Sequence, residues 1–111
     1  MGLPNRVTFL SCDIEPPNNT LAALKRVIEQ GVEFDCICFE HDNCNHRSKG
    51  LPDHNPLAIE YLATKGYRVA VSDVYCNGEK DYLFETWFVK NDVDYPPTQT
   101  FDQWKAWMGL E

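Results

Sequence analysis

The stretch "VTFLSCD", Val7–Asp13, decides the fold: it is a nearly continuous apolar run that ends on an acid. Strict alternation would mark a strand with one wet face. A run of this kind reads instead as a strand buried on both faces, as in a parallel sheet. "PPNNT" follows, with Asn19 as a good helix N-cap. Leu21, Leu24, Val27 and Ile28 then recur at helical spacing, and Gly31 closes the segment as a C-cap. The next run, "EFDCICFE" (Glu33–Glu40), is a second strand. Its Cys36 and Cys38 point to one face while Ile37 and Phe39 point to the other, so both thiols are expected inside one packed layer.

Working outward, "DHNPLAIEYLATKGY" announces another helix, with Asn55 as N-cap, Pro56 in the first helical position and Gly66 at the end. Ala58, Tyr61 and Leu62 form its apolar stripe, and His54 belongs to its start. "YRVAVSDVYC" and "DYLFETWFVK" flank "NGEK", where Asn77-Gly78 supplies the positive φ angles of a tight hairpin. These two strands are therefore expected to be antiparallel neighbours, with Trp87 and Phe88 in the packing. The chain breaks at Pro96-Pro97 and ends in a short amphipathic helix, with Phe101, Trp104 and Trp107 or Met108 as a buried stripe. The predicted order is β-α-β-α-β-β-α. Strand–helix–strand units call for parallel pairing through right-handed crossovers. The fold class is α/β, a partial Rossmann-like sheet of about four strands, three parallel and the last antiparallel. One domain spans residues 1–111, with a core over 6–95 and a tail over 96–111.

The 111 residues carry a net charge of −7 and an isoelectric point near 4.8. Their ten basic residues are scattered, which argues against nucleic-acid binding, since phosphate contacts need clustered Lys and Arg. No run approaches the about 18 apolar residues that span a membrane. "MGLPNR" has no apolar stretch behind it to act as a secretory leader. Five cysteines, an odd number, then suggest a reduced cytoplasmic protein whose thiols act mostly as small core residues.

The segments "FLSCDIE" (9–15), "ICFEHD" (37–42) and "FETWFV" (84–89), with Ala23-Leu24-Lys25 in the intervening helix, carry a family likeness. In order and spacing they resemble the C-terminal half of an FkbM-type methyltransferase, a Rossmann-like fold using S-adenosylmethionine. In that family the fourth strand runs into an acidic "D-x-E", the fifth ends in a "V-E-H"-like turn, and the last strand carries "E-D-W-x-V". The resemblance covers roughly residues 6–95. Pro16-Pro17 stand where the family usually places Gly. The resemblance also implies that the N-terminal cofactor-binding half is missing, because the sequence contains no G-x-G and no strand before Val7 to carry one. The expected activity is that of the substrate-side half of an O-methyltransferase acting on a sugar or other small-molecule hydroxyl, inactive alone. The isolated chain would bind no cofactor; the full-length family would bind S-adenosylmethionine.

In open α/β sheets, ligands sit beyond the carboxyl ends of the parallel strands. Asp13 and Glu15 follow the first strand, while Glu40, His41 and Asp42 follow the second. If the strands are adjacent, these groups share one rim and can hold a divalent cation through oxygen or deprotonate a substrate hydroxyl. The candidate catalytic residues are Asp13, Glu40 and His41, the last as base; Glu15 and Asp42 are candidate substrate contacts. Against this stands the ordinary reading that strand ends emerge into solvent and carry charge. A metal-binding domain centred on residues 40–46 is an alternative, with His41, Cys44 and His46 as ligands joined by Asp42 or Cys12. The spacing H-x-x-C-x-H matches no common zinc module.

A half-fold of this kind leaves its first strand unpaired on one edge and one sheet face bare, both association hazards. The Phe101–Trp107 tail can fold back over the bare face, or two copies can join edge to edge or face to face. A homodimer is expected. A non-catalytic interaction or dimerisation module is accordingly the other alternative to an enzyme fragment.

Overall fold

The first three strands in chain order run the same way because helices carry the chain back between them. The computed structural model describes residues 6–12, 17–41, 55–75 and 83–110. Strand β1 (Arg6–Cys12) leads through helix α1 (Pro17–Glu29) to β2 (Glu33–Glu40), and helix α2 (Asn55–Thr64) leads on to β3 (Tyr67–Tyr75). Then come β4 (Leu83–Lys90), the two-residue β5 (Gln99–Thr100) and helix α3 (Phe101–Met108). The five form one mixed sheet in the order β1-β2-β4-β3-β5. β1 pairs with β2 in parallel, β4 is antiparallel to both β2 and β3, and β5 is parallel to β3.

The α/β class and the antiparallel β3–β4 pairing match the sequence reading. Two finer points differ. The sheet has five strands among the described residues rather than about four, because two residues before α3 extend along β3. The antiparallel strand is also not the last: β4 is inserted between β2 and β3, which leaves β1, β2 and β3 co-directional with a gap that the hairpin fills. Helix α1 begins at Pro17, so Asn19 lies inside it rather than capping it. Gly31 and Gly66 close α1 and α2 in the left-handed region, each at φ +89°, where a side chain would be strained.

Both crossover helices lie on one face. The progression β1 to β2 to β3 never reverses across the sheet, so crossovers of one hand must place α1 and α2 on the same side. The core there joins Leu21 and Leu24 of α1 and Ala58 and Leu62 of α2 to Ile37, Phe39 and Phe88 of the sheet. In-register pairs Leu10–Ile37, Cys12–Phe39, Ile37–Phe88 and Val69–Phe88 form the sheet side of that layer. The predicted stripe of α2 is realised: Ala58 and Leu62 are buried and Tyr61 is half-buried.

Among the described residues the opposite face is covered by the tail. A second cluster joins Ala70, Val71, Val74 and Val89 to Trp87, Tyr95, Phe101 and Trp104. Register shifts between Val69 and Val71 and between Val71 and Val74, with Asp73 at φ 57°, let adjacent residues of β3 serve both layers. Aspartate is among the few residues that tolerate that conformation. Helix α3 carries a full capping box: Thr100 Oγ1 accepts from the Gln103 backbone N–H, and Gln103 Oε1 accepts from that of Thr100. Arg68 Nη2 donates to the carbonyls of Tyr95 and Pro96, tying the tail's entry to β3.

Two expectations about packing are corrected. Trp107 and Met108 do not belong to a buried stripe: they are 56% and 51% exposed, because only Phe101 and Trp104 of α3 face the sheet cluster. Nor is β1 buried on both faces. Thr8, Phe9 and Ser11 are exposed, since among the described residues β1 has β2 on one side only and α3 does not reach it.

Candidate functional site

β1 and β2 are adjacent and parallel, so their carboxyl ends form one rim. Cys12, paired with Phe39, ends β1; Glu40 ends β2, and His41 follows it. Asp13, Glu15, Asp42, Cys44, His46, His54 and the Asn77-Gly78 turn lie outside the described residues. Of the sequence-predicted site, Glu40 and His41 can therefore be placed.

Neighbouring positions along extended backbone project to opposite faces, and these two differ accordingly. His41 is 3% exposed, a buried polar group held by an interaction. Glu40 is half-buried and stands opposite Glu85 across the β2–β4 pair. Like charges directly opposite are destabilising unless each finds another partner. Glu85 has one: the Trp87 indole N–H donates to its Oε1 at 2.5 Å. Glu40 is also engaged. The sequence reading paired Glu40 with His41 by proximity and missed Glu85. The signal was available in "FETWFV", since an acid two residues before a tryptophan on one strand face can take its indole proton.

Below the rim, Cys12 is 8% exposed, and burial pushes its thiol up to about 11, so it stays protonated at neutral pH. Thr86, paired with Phe39 and 1% exposed, donates its hydroxyl proton to Asn55 Oδ1 at 2.8 Å. That bond fixes the start of α2 to the strand beside the rim. Asn55 is the first residue of α2 rather than the residue before it, and this bond to Thr86 is a role that its place in the sequence did not announce.

Cys36 and Cys38 lie on the tail side of the sheet, opposite Val89 and Trp87, and both are half-buried free thiols. Among the described residues no packed layer covers them, since the cluster of α3 joins residues of β3 and β4. The two interact as a pair. Cys36 is pulled below the ordinary thiol range by its hydrogen bond with Cys38, against burial and the nearby Asp35 carboxylate. Cys38 is driven well above that range by the same bond, with burial and then the charges of Cys36 and Glu85 adding to it.

At the other pole of the strands a charge network ties β1 down. Arg6 donates to Asp92 through both terminal nitrogens, at 3.1 and 2.8 Å, and through Nε to Asp35 at 2.6 Å. Glu33 lies 3.5 Å from both Arg6 and Lys90. A groove of about 360 Å³ runs between α1 and α2, lined by Lys25, Leu57, Glu60, Tyr61 and Thr64, and includes neither Glu40 nor His41. Among the described residues no group of three or more His, Cys, Asp or Glu is arranged to hold a metal ion. Among the same residues no helix is long and apolar enough to cross a membrane.

No family model, curated protein or solved structure matches the chain.

Proposed function

We propose that the chain is the substrate-side half of an FkbM-type, Rossmann-like methyltransferase fold, and that its own activity is association through β1. The observation that carries this reading is the unpaired side of β1. Among the described residues β1 bonds to β2 alone, with Phe9 54% exposed at its middle. Three co-directional strands that progress one way, with both crossover helices on one face, correspond to one half of a doubly wound sheet. In such a sheet the second half starts beside the first strand and winds the other way, covering the opposite face, and the ligand crevice opens at that junction. A complementary polypeptide on β1 would bring a cofactor site for S-adenosylmethionine to the rim where Glu40 and His41 stand, with Asp13 as a further candidate. Without it, a second copy of the chain fills the edge.

Light scattering at micromolar concentration tests the association, with a homodimer expected. Phe9→Lys places a charge on the edge strand and should yield a monomer of unchanged far-ultraviolet circular dichroism. A monomeric parent chain whose β1 amides are protected from hydrogen exchange would overturn the open-edge reading. Calorimetry with S-adenosylmethionine tests the kinship. The isolated chain should give no heat of binding, and tight one-to-one binding would mean that the cofactor site is already here.

A further inference from the structure

The half-buried pair on β2 is used by neither reading above. Cys36 and Cys38 are two residues apart on one strand, so their side chains share a face and their Cα atoms stand two strand rises apart, about 6.7 Å. They lie on the side of Val89 and Trp87, in the part of the sheet that α3 does not reach. Their parallel neighbours on β1 are Phe9 and Ser11, both exposed. The thiols are thus paired, partly sheltered and open to solvent from one side.

Geometry sorts what such a pair can do. A disulfide prefers Cα atoms about 5.5–6 Å apart and tolerates at most about 6.8 Å, so a bridge within this strand would sit at the stretched limit. A metal between the sulfurs relieves that stretch, since two bonds of about 2.3 Å span about 4.6 Å. Four-coordinate zinc needs further ligands, and no third His, Cys, Asp or Glu completes a cluster among the described residues. Soft ions that accept two thiolates need none.

We propose that Cys36 and Cys38 form a two-thiolate site for a soft monovalent metal ion of the copper(I) type, on the part of the sheet face over β1 and β2 that α3 does not reach. Binding forms two sulfur–metal bonds and releases both thiol protons to solvent, with no change in oxidation state. Both thiols must lose their protons to bind, so affinity for the metal rises with pH. Asp35 and Glu40 on β2, Glu85 on β4 and the buried thiol of Cys12 are the titratable groups around the pair. Glu40 and Glu85 favour an incoming cation, whereas the charge of Asp35 is matched by Arg6.

The test is titration of the reduced full chain with copper(I) in competition with bicinchoninate. One equivalent should be withdrawn by the protein and should quench part of the tryptophan fluorescence, since Trp87 stands opposite Cys38. C36S/C38S should weaken binding by at least about 100-fold, whereas C76S should leave it intact. Alkylation of the unaltered chain followed by peptide mass spectrometry gives a readout that does not depend on a variant folding. Loading with one equivalent should protect Cys36 and Cys38 together. Failure of the chain to compete for copper(I), protection of other cysteines instead, or full binding by C36S/C38S would each overturn the assignment.

Discussion

Over β3 and β4, the sheet face away from α1 and α2 is closed by α3; over β1 and β2 the same face carries exposed Phe9 and half-buried Cys36 and Cys38. In the first region Trp87 meets Phe101 and Trp104 edge-on, at 5.7 and 4.9 Å between ring centroids, and Tyr75 meets Phe101 at 4.9 Å. Lys105 lies 4.8 Å over the Tyr75 ring, and the Tyr75 hydroxyl donates to Asp102. Among the described residues no such ring cluster stands over β1. The difference follows from how such sheets are wound. Crossover helices of one hand all cover one face, so the other must be covered by something that is not a crossover. The tail supplies an eight-residue helix, about 12 Å long and about 10 Å wide. With strands about 4.8 Å apart, that covers two of them and not four.

The largest expected effect breaks what the two regions share. Phe39 is fully buried beneath α1 and α2, between Cys12 on β1 and Thr86 on β4. Phe39→Ala should cost about 3–5 kcal/mol in urea unfolding. A loss below about 1 kcal/mol would mean that the common core is not continuous. The next pair of variants separates the regions. Trp104→Ala removes one ring of the aromatic cluster and should cost about 2–3 kcal/mol, with loss of the near-ultraviolet dichroism of the stacked rings. Phe9→Ala on the open side should change monomer stability by at most about 0.5 kcal/mol. Equal losses at the two positions would erase the comparison.

A smaller effect is expected at the seam between sheet and helix layer. Thr86→Val keeps the shape but removes the hydroxyl that donates to Asn55 Oδ1, at a cost of about 1–2 kcal/mol. Hydrogen exchange should quicken first at the start of α2, where that bond holds the helix to β4.

How much of this was legible in the sequence differs by region in the same way. The period-3.6 stripes of α1 and α2, the central apolar pairs of β2 and the turn signal between β3 and β4 all report local geometry, and each element was placed from them. The site where β4 enters the sheet is set by long-range pairing of Ile37 with Phe88, which no local pattern encodes. "VTFLSCD" looked doubly buried because apolar content alone cannot say whether a neighbour strand is present. Trp107 looked like core because a short amphipathic helix shows its stripe but not how far it is inserted. Of the candidate site, Glu40 and His41 were named by the rule that ligands gather beyond parallel strand ends, and the structure puts both at the end of β2. Glu85 and the Thr86–Asn55 bond were not, since both depend on which strand lies next to β2.

The smallest expected effect lies at the other pole, where electrostatics rather than cover holds the open half in place. Arg6 is on β1, Asp35 on β2 and Asp92 just past β4, so one guanidinium spans three segments that, among the described residues, no helix clamps from the tail side. Its hydrogen bonds, first to Asp92 and then to Asp35, keep it protonated beyond its already high value, and the same bond holds Asp92 below the usual carboxylate range. A folded pKa below the unfolded one stabilises above the unfolded value, near pH 4, and that stabilisation is lost as pH falls through the folded value. Arg6→Gln should therefore flatten the acid limb of the stability curve below about pH 4 and leave only a slight difference at neutral pH. The slight difference should shrink further in high salt, because these groups are exposed to solvent. Its clearest readout is local: β1 amides should exchange faster in Arg6→Gln while those of β3 are unchanged. Equal acceleration in both strands would show that the network stabilises the whole sheet and that β1 has no separate dependence on it.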